Sequence, residues 1–156
     1  MAEGIEIKFE GKEANKFFTD IIKNVKGVET KSNDYVVALS AIVFADVMDH
    51  FGKESGRKGK WKRWSPSYTK KMKKAGRSDN KILQFSGGLR QRFTPTNVRK
   101  VSGGLLWFNR AKTKKGFPYA FAHDEGGAKL PQRQFMWLSD PALKKIEAET
   151  LKFIER

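Results

Sequence analysis

The sequence contains no cysteine, which excludes disulfide staples and every thiolate-based metal or redox site. Imidazole is nearly absent as well, with His50 and His123 the only two histidines. No unbroken apolar run approaches the roughly 20 residues that a membrane-spanning helix needs, so no membrane contact is expected. Residues 1–10 alternate charged and apolar groups and lack the apolar core of a signal peptide, so a soluble protein made in the cytoplasm is expected. Acids are scarce, 17 against 32 lysines and arginines. What remains is a chain of 156 residues, a common single-domain length and enough for a real core. One domain over residues 1–156 is expected.

Charge is the outlier. The net charge is +15, a field that favours polyanions: nucleic acid, an acidic protein surface or an anionic membrane. It is also uneven. Residues 52–81 hold 12 basic side chains and only two acids, Glu54 and Asp79, so this fifth of the chain carries most of the excess. Within it, residues 52–63 have no apolar period and two internal glycines, Gly56 and Gly59. A long, flexible cationic loop is expected there, its charge supplied by Arg57, Lys58, Lys60, Lys62 and Arg63.

Periodicity outlines the rest. Ile5, Ile7 and Phe9 alternate with Glu6, Lys8 and Glu10, a half-buried strand pattern. Ala14, Phe17, Phe18, Ile21, Ile22 and Val25 form one stripe of an amphipathic helix. A second helix is predicted over residues 34–51, capped by Ser32 or Asn33. It runs through Val36, Val37, Leu39, Ile42, Val43, Val47 and Met48, apolar on most faces and therefore central or at an interface. Ser65-Pro66 marks a third helix start, with Tyr68 and Met72 on one face and Gly76 at its end. From Leu89 the period changes to two, and strands are predicted at residues 89–93, 98–101 and 105–109, the last two joined across Ser102-Gly103-Gly104. Residues 119–123 are read as extended. A last helix starts at Asp140-Pro141, with Leu143, Ile146, Thr150, Phe153 and Ile154 on its inner side. The fold class expected is α+β, a small antiparallel sheet packed with a long central helix and with N- and C-terminal helices.

No enzyme is legible in these residues. His123-Asp124-Glu125 resembles a metal or acid–base cluster only in composition, since one histidine beside adjacent acids does not supply three converging ligands. Ser86-Gly87-Gly88 and Gly126-Gly127 lack the lysine and spacing of a phosphate loop. Neither a catalytic residue, a metal nor a cofactor is expected. The basic stretch around Trp61 and Trp64 leaves three readings open. The lysines and Arg63 would neutralise phosphates while indoles stack on bases; or the tryptophans anchor a solvated loop; or the stretch docks on an acidic partner.

One ordered series of motifs narrows the field. Trp64 before Ser65-Pro66-Ser67-Tyr68-Thr69, then Ile82-Leu83-Gln84-Phe85-Ser86-Gly87-Gly88-Leu89-Arg90, then Tyr119-Ala120 with His123, Gly126 and Gly127, then Pro131-Gln132-Arg133-Gln134-Phe135, together resemble the virion-morphogenesis (tail-completion, head–tail joining) proteins of bacteriophages. The resemblance spans residues 34–156, and it departs mildly: serine stands at Ser86 where threonine is common, and the loop before Trp64 is richer in lysine. It implies a non-enzymatic structural protein of the virion, made in the host cytoplasm. Such a subunit forms a homo-oligomeric ring, six copies being the family expectation, at the tail end or neck. Its partners would be the tail tube and the neck or connector proteins, with genomic DNA in the lumen. Trp64, Leu83, Gly87, Leu89, Tyr119, His123, Gly126, Gly127, Pro131, Arg133 and Phe135 would be structural, proline fixing the chain and arginine pairing a carboxylate. The alternative is a stand-alone basic nucleic-acid-binding module.

Overall fold

The computed structural model describes residues 31–77, 81–84, 87–101 and 104–155. The strand and helix expected before residue 31, the residues Phe85 and Ser86, and the Ser102-Gly103 turn lie outside these. The longest element is α1, Lys31–Lys53. It begins before the expected caps, so Ser32 and Asn33 sit inside its first turn. Leu39, Val43, Val47 and Phe51 recur every fourth residue, and all four are buried in one core cluster. Each such side chain contributes roughly 1.5–3 kcal/mol of hydrophobic stabilisation. The opposite face is open, with Val37 67 % exposed.

By length and composition, Asn33–Lys53 is long and apolar enough to cross a membrane, contrary to the expectation from the bare sequence. What the expectation undercounted is the small and weakly polar residues between the apolar ones. In this fold the Leu39–Phe51 stripe is spent on the protein core.

The partner of α1 is α5, Asp140–Ile154. The two run antiparallel. Near the start of α1, the Tyr35 hydroxyl meets Thr150 Oγ1 at 2.8 Å, and the Tyr35 ring stacks on Phe153 at 4.5 Å. Towards the other end, the Asp46 carboxylate accepts from Ser139 N at 2.8 Å and Ser139 Oγ at 2.6 Å. Ser139 in turn caps α5, accepting from Ala142 N. Burial alone would raise the Asp46 pKa. The bonds from His50 and Ser139 outweigh it and hold the carboxyl below its ordinary value. Ala142, Ile146 and Thr150 face inward, whereas Leu143 and Ile154, expected on the inner stripe, are exposed. The expected stripe holds at Ile146, Thr150 and Phe153 and fails at its ends, where Ala142 and not Leu143 is buried.

Between these helices the described residues make two antiparallel hairpins and three shorter helices. β1 (Ser55–Gly56) pairs with β2 (Gly59–Lys60). α2 is Pro66–Lys74, capped by Ser65 Oγ accepting from Tyr68 N, with Met72 buried. α3 is Gly88–Gln91. β3 (Val98–Val101) pairs with β4 (Gly104–Trp107), Val101 opposite Gly104 and Val98 opposite Trp107. α4 is Tyr119–Glu125. The architecture is α+β, as expected.

Two local expectations fail. Residues 89–93 are not a strand: Gly88–Gln91 is one helical turn, so the sheet they were to complete is a two-stranded hairpin. Leu89 and Phe93 are both buried, and a four-residue spacing satisfies a helix as well as an alternation does. Residues 119–123 are helical and not extended. The β3–β4 hairpin still packs on α1, where Trp107 Nε1 donates to Ser40 Oγ at 3.1 Å inside the core.

Candidate functional site

The segment expected as a flexible cationic loop is a short closed hairpin that delivers an anchor. Glu54 leaves α1 with φ of 50°, a left-handed conformation uncommon for a residue with a side chain. Its backbone carbonyl accepts from Trp61 N at 2.8 Å. Its carboxylate accepts from Ile82 N at 2.6 Å and meets Arg63 at 3.4 Å. Trp61 is thereby turned inward. Its ring packs edge-on against Phe51, and its Nε1 donates to Gln134 O at 3.0 Å. Gly56 is required beside it, because an added Cβ would lie 2.9 Å from Gln134 O and 3.2 Å from Trp61 Nε1. Of the three readings of this stretch, Trp61 takes the anchoring one.

A second set of pins comes from α4 and the strand-like segment after it. Asp124 is buried, and one of its oxygens accepts from Phe135 N at 2.8 Å and Met136 N at 3.0 Å. Burial pushes its pKa up to about 6, the two backbone bonds only partly opposing that and Glu125 adding to it. The His123 carbonyl accepts from Arg133 N at 2.8 Å. Gly126 ends α4 with φ of 75°, and a Cβ there would come within 2.8 Å of the Gln132 backbone. Only glycine fits both constraints. Gly127 then pairs with Leu130 across a tight turn. Together these contacts lay residues 131–136 over the end of α1.

Between the two pinned segments lies an open cleft of about 1010 Å³. Trp64, Leu83, Leu89, Tyr119, His123, Gly127, Pro131 and Arg133 line it. These are eight of the eleven residues that the sequence motifs singled out, drawn from a span of 70 positions. The other three support it. Gly87 starts α3 with φ of 70°, Gly126 closes α4, and Phe135 is wholly buried against Phe51. From the basic stretch only Lys62 and Arg63 reach the cleft; Arg57, Lys58 and Lys60 lie on the exposed hairpin outside it. Tyr68 and Lys129 complete its character, and pattern reading had not singled out Lys129. Nothing in the local sequence marks it beyond its place in the turn after Gly127.

The cleft is cationic and aromatic. Lys62, Arg63, Lys129 and Arg133 line it, and among the described residues no carboxylate does, although Glu54 meets Arg63 from outside. Arg133 is only 6 % exposed. Its Nε donates to Lys62 O at 3.1 Å, so it holds a backbone carbonyl where a carboxylate partner was expected. Burial, with a smaller opposing effect from Tyr68, lowers its pKa. His123 Nδ1 is buried without a hydrogen-bond partner. Burial first, and the Arg133 charge second, lower the histidine's pKa, which keeps the ring neutral at neutral pH. Trp64 and Tyr68 meet edge to face at 5.4 Å. Leu83 holds φ of 62°, a strained conformation at the cleft wall. Among the described residues no group of three or more histidines and acids could hold a metal ion. His50, the other imidazole, stacks on Trp137 and bonds its carbonyl. The arrangement suits the capture of an anionic, partly apolar group. Comparison with known proteins finds no matching family model, curated protein or solved structure.

Proposed function

We propose that this chain is a structural subunit of a tailed-bacteriophage particle, forming a ring at the tail end or neck that completes the tail and joins it to the head. One observation supports the reading. The residues that carry the resemblance to virion-morphogenesis proteins are scattered along the sequence, yet most of them line one cleft. Leu89 belongs to the core and Trp64, Leu83 and Tyr119 pack against it, yet all four also face this one cleft. Residues gathered on an open, polar-rimmed wall share a surface, and a ring protomer needs such a surface for its neighbour. Six copies and contact with the tail tube and connector are the family-level expectations that go with this reading.

The test is a reconstruction of the particle. A ring of this chain where tail meets head is the expected result; a single copy, or copies scattered over the capsid, would overturn the proposal.

The second reading, a nucleic-acid-binding module, draws on the same cleft, since Trp64 and Tyr68 beside Lys62 and Arg63 also suit a base and its phosphate. Salt separates the two. Binding through 6–10 phosphates loses roughly 10³–10⁵ in affinity between 50 and 200 mM salt. Ring contacts built largely on apolar surface hold over that range.

A further inference from the structure

Of the four cations in the cleft wall, Arg133 is the most demanding. It is 6 % exposed, and among the described residues its guanidinium holds only the Lys62 carbonyl. A charge withdrawn from water is costly until an anion pairs it. His123 Nδ1 belongs to the same wall, buried and without a partner. Trp64, Leu83, Leu89 and Tyr119 form the apolar part. An occupant should therefore be acidic and partly apolar. The outer side of α5 has both properties. A helix turns by about 100° per residue, so Asp140, Leu143, Glu147, Leu151 and Ile154 fall in one stripe about 80° wide. All five are exposed, Leu143, Leu151 and Ile154 at 38, 45 and 49 %. No lysine stands in the stripe: Lys144 flanks it, and Lys145 and Lys152 lie across the helix. Among the described residues neither Asp140 nor Glu147 has an ion-pair partner.

Resting on the ring reading, we propose that the outer stripe of α5 in one copy docks in the cleft of the neighbouring copy, Glu147 against Arg133 and Lys62, and Leu143, Leu151 and Ile154 on the apolar wall. Positions 143, 147, 151 and 154 follow the three- and four-residue steps by which an amphipathic helix lays its anchors into a groove. Leu83 and Leu89 in that wall offer apolar contact to a leucine and no face on which a base stacks. Within one copy the two surfaces do not meet. Helix α5 lies along α1, tied by Thr150 to Tyr35 and by Ser139 to Asp46, and none of its residues lines the cleft. Stripe and cleft are thus different patches of one molecule. Their contact is head-to-tail, and repeated by rotation it closes a ring.

The absence of cysteine makes a clean test. One full-length chain carries Leu151→Cys, and a second, distinguished by a size tag, carries Lys129→Cys at the cleft. Oxidised together, they should yield a disulfide-linked heterodimer about tenfold above that from a control donor with Lys145→Cys, on the far side of the same helix. Adding Glu147→Lys to the Leu151→Cys chain should remove the excess with thermal unfolding unchanged, because Glu147 is exposed. A chain carrying both Leu151→Cys and Lys129→Cys should give a ladder of linked copies. A loop closed only within one chain overturns the proposal, and so does the lack of any excess over the control. If a single-stranded oligonucleotide then protects the Lys129→Cys thiol from alkylation, the cleft belongs to nucleic acid. The particle map keeps this separate from the ring reading. A heterodimer without a ring in the particle sinks the ring alone, and a ring without the heterodimer sinks this docking alone.

Discussion

The α1–α5 pair and the cleft are held by different means. The helix pair is largely apolar and periodic, with Leu39, Val43 and Val47 on one side and Ala142 and Ile146 on the other, closed at its ends by Tyr35 with Thr150 and Asp46 with Ser139. The cleft is built from segments with little regular structure, held by single polar contacts such as Trp61 Nε1 to Gln134 O and Asp124 to the Phe135 and Met136 amides. Burial proportional to area resists small changes and fails when a charge enters. A pin of one hydrogen bond is worth about 1 kcal/mol, but it fixes where a wall stands. The comparison therefore predicts global loss from damage to the first region and local loosening from damage to the second.

The largest effect belongs to the helix pair. Val43 is wholly buried at the middle of α1. Val43→Asp places an unpaired charge there and should cost several kcal/mol, enough to leave no folded protein. Circular dichroism and solubility check it. Folded Val43→Asp with unchanged thermal stability would break the comparison at its stronger end.

Next comes the wall of the cleft. Gly126→Ala must hold φ of 75° and press a carbon to within 2.8 Å of the Gln132 backbone. We expect a loss of roughly 1–3 kcal/mol in urea unfolding. Gly127→Ala is the control, since nothing lies within 4 Å of its added carbon. Equal losses at both positions would show that the turn, and not the close approach, sets the cost.

These two regions also differ in how far the sequence exposes them. Four-residue spacing made α1 and α5 readable, and Ser65-Pro66 made α2 readable, because a helix repeats one rule over many residues. The α3 turn was missed because Leu89, Gln91 and Phe93 also alternate. What decides for helix lies elsewhere in the chain: Asn109 Nδ2 donates to the Leu89 carbonyl at 2.8 Å. The cleft was the least legible. Its cations and aromatics meet through contacts between residues about 70 apart, such as Arg133 Nε to Lys62 O, and no local period encodes such a pair. The motif resemblance named eight of the residues that line it, and gave no hint that they share a wall.

A titration sharpens the comparison further. Asp124 has its folded pKa raised to about 6, above its unfolded value near 4. Its favourable contribution is present below pH 4 and is lost as pH rises through about 6, a change on the order of 2 kcal/mol. His123 has the opposite sign. Its pKa is lowered in the fold, so its contribution is present above its ordinary value of about 6.5 and fades as pH falls. The wild type therefore shows partial cancellation. Asp124→Asn should remove the acid-side gain and leave stability falling more steeply from pH 6 to pH 4 than in the wild type. Parallel stability–pH curves for the two proteins would mean that Asp124 does not titrate in this window.

The smallest effect divides the basic stretch in two. Arg57 and Lys58 turn the exposed hairpin, away from the cleft that Lys62 and Lys129 line. Exposed charges contribute little to stability, so Arg57→Glu with Lys58→Glu, and Lys62→Glu with Lys129→Glu, should each unfold within about 0.5 kcal/mol of the wild type. They should part in assembly. The cleft pair should abolish head–tail joining, scored as the yield of infectious particles, because reversed charge repels an acidic occupant. The hairpin pair should leave that yield within about twofold, since charge at the edge of a contact mainly alters the rate of encounter. Reversing Lys58, Lys60 and Lys62 together should then act through Lys62 alone. If the hairpin pair abolishes joining and the cleft pair does not, the partner grips the hairpin, and the cleft is a by-product of how Trp61 and Asp124 pin the chain.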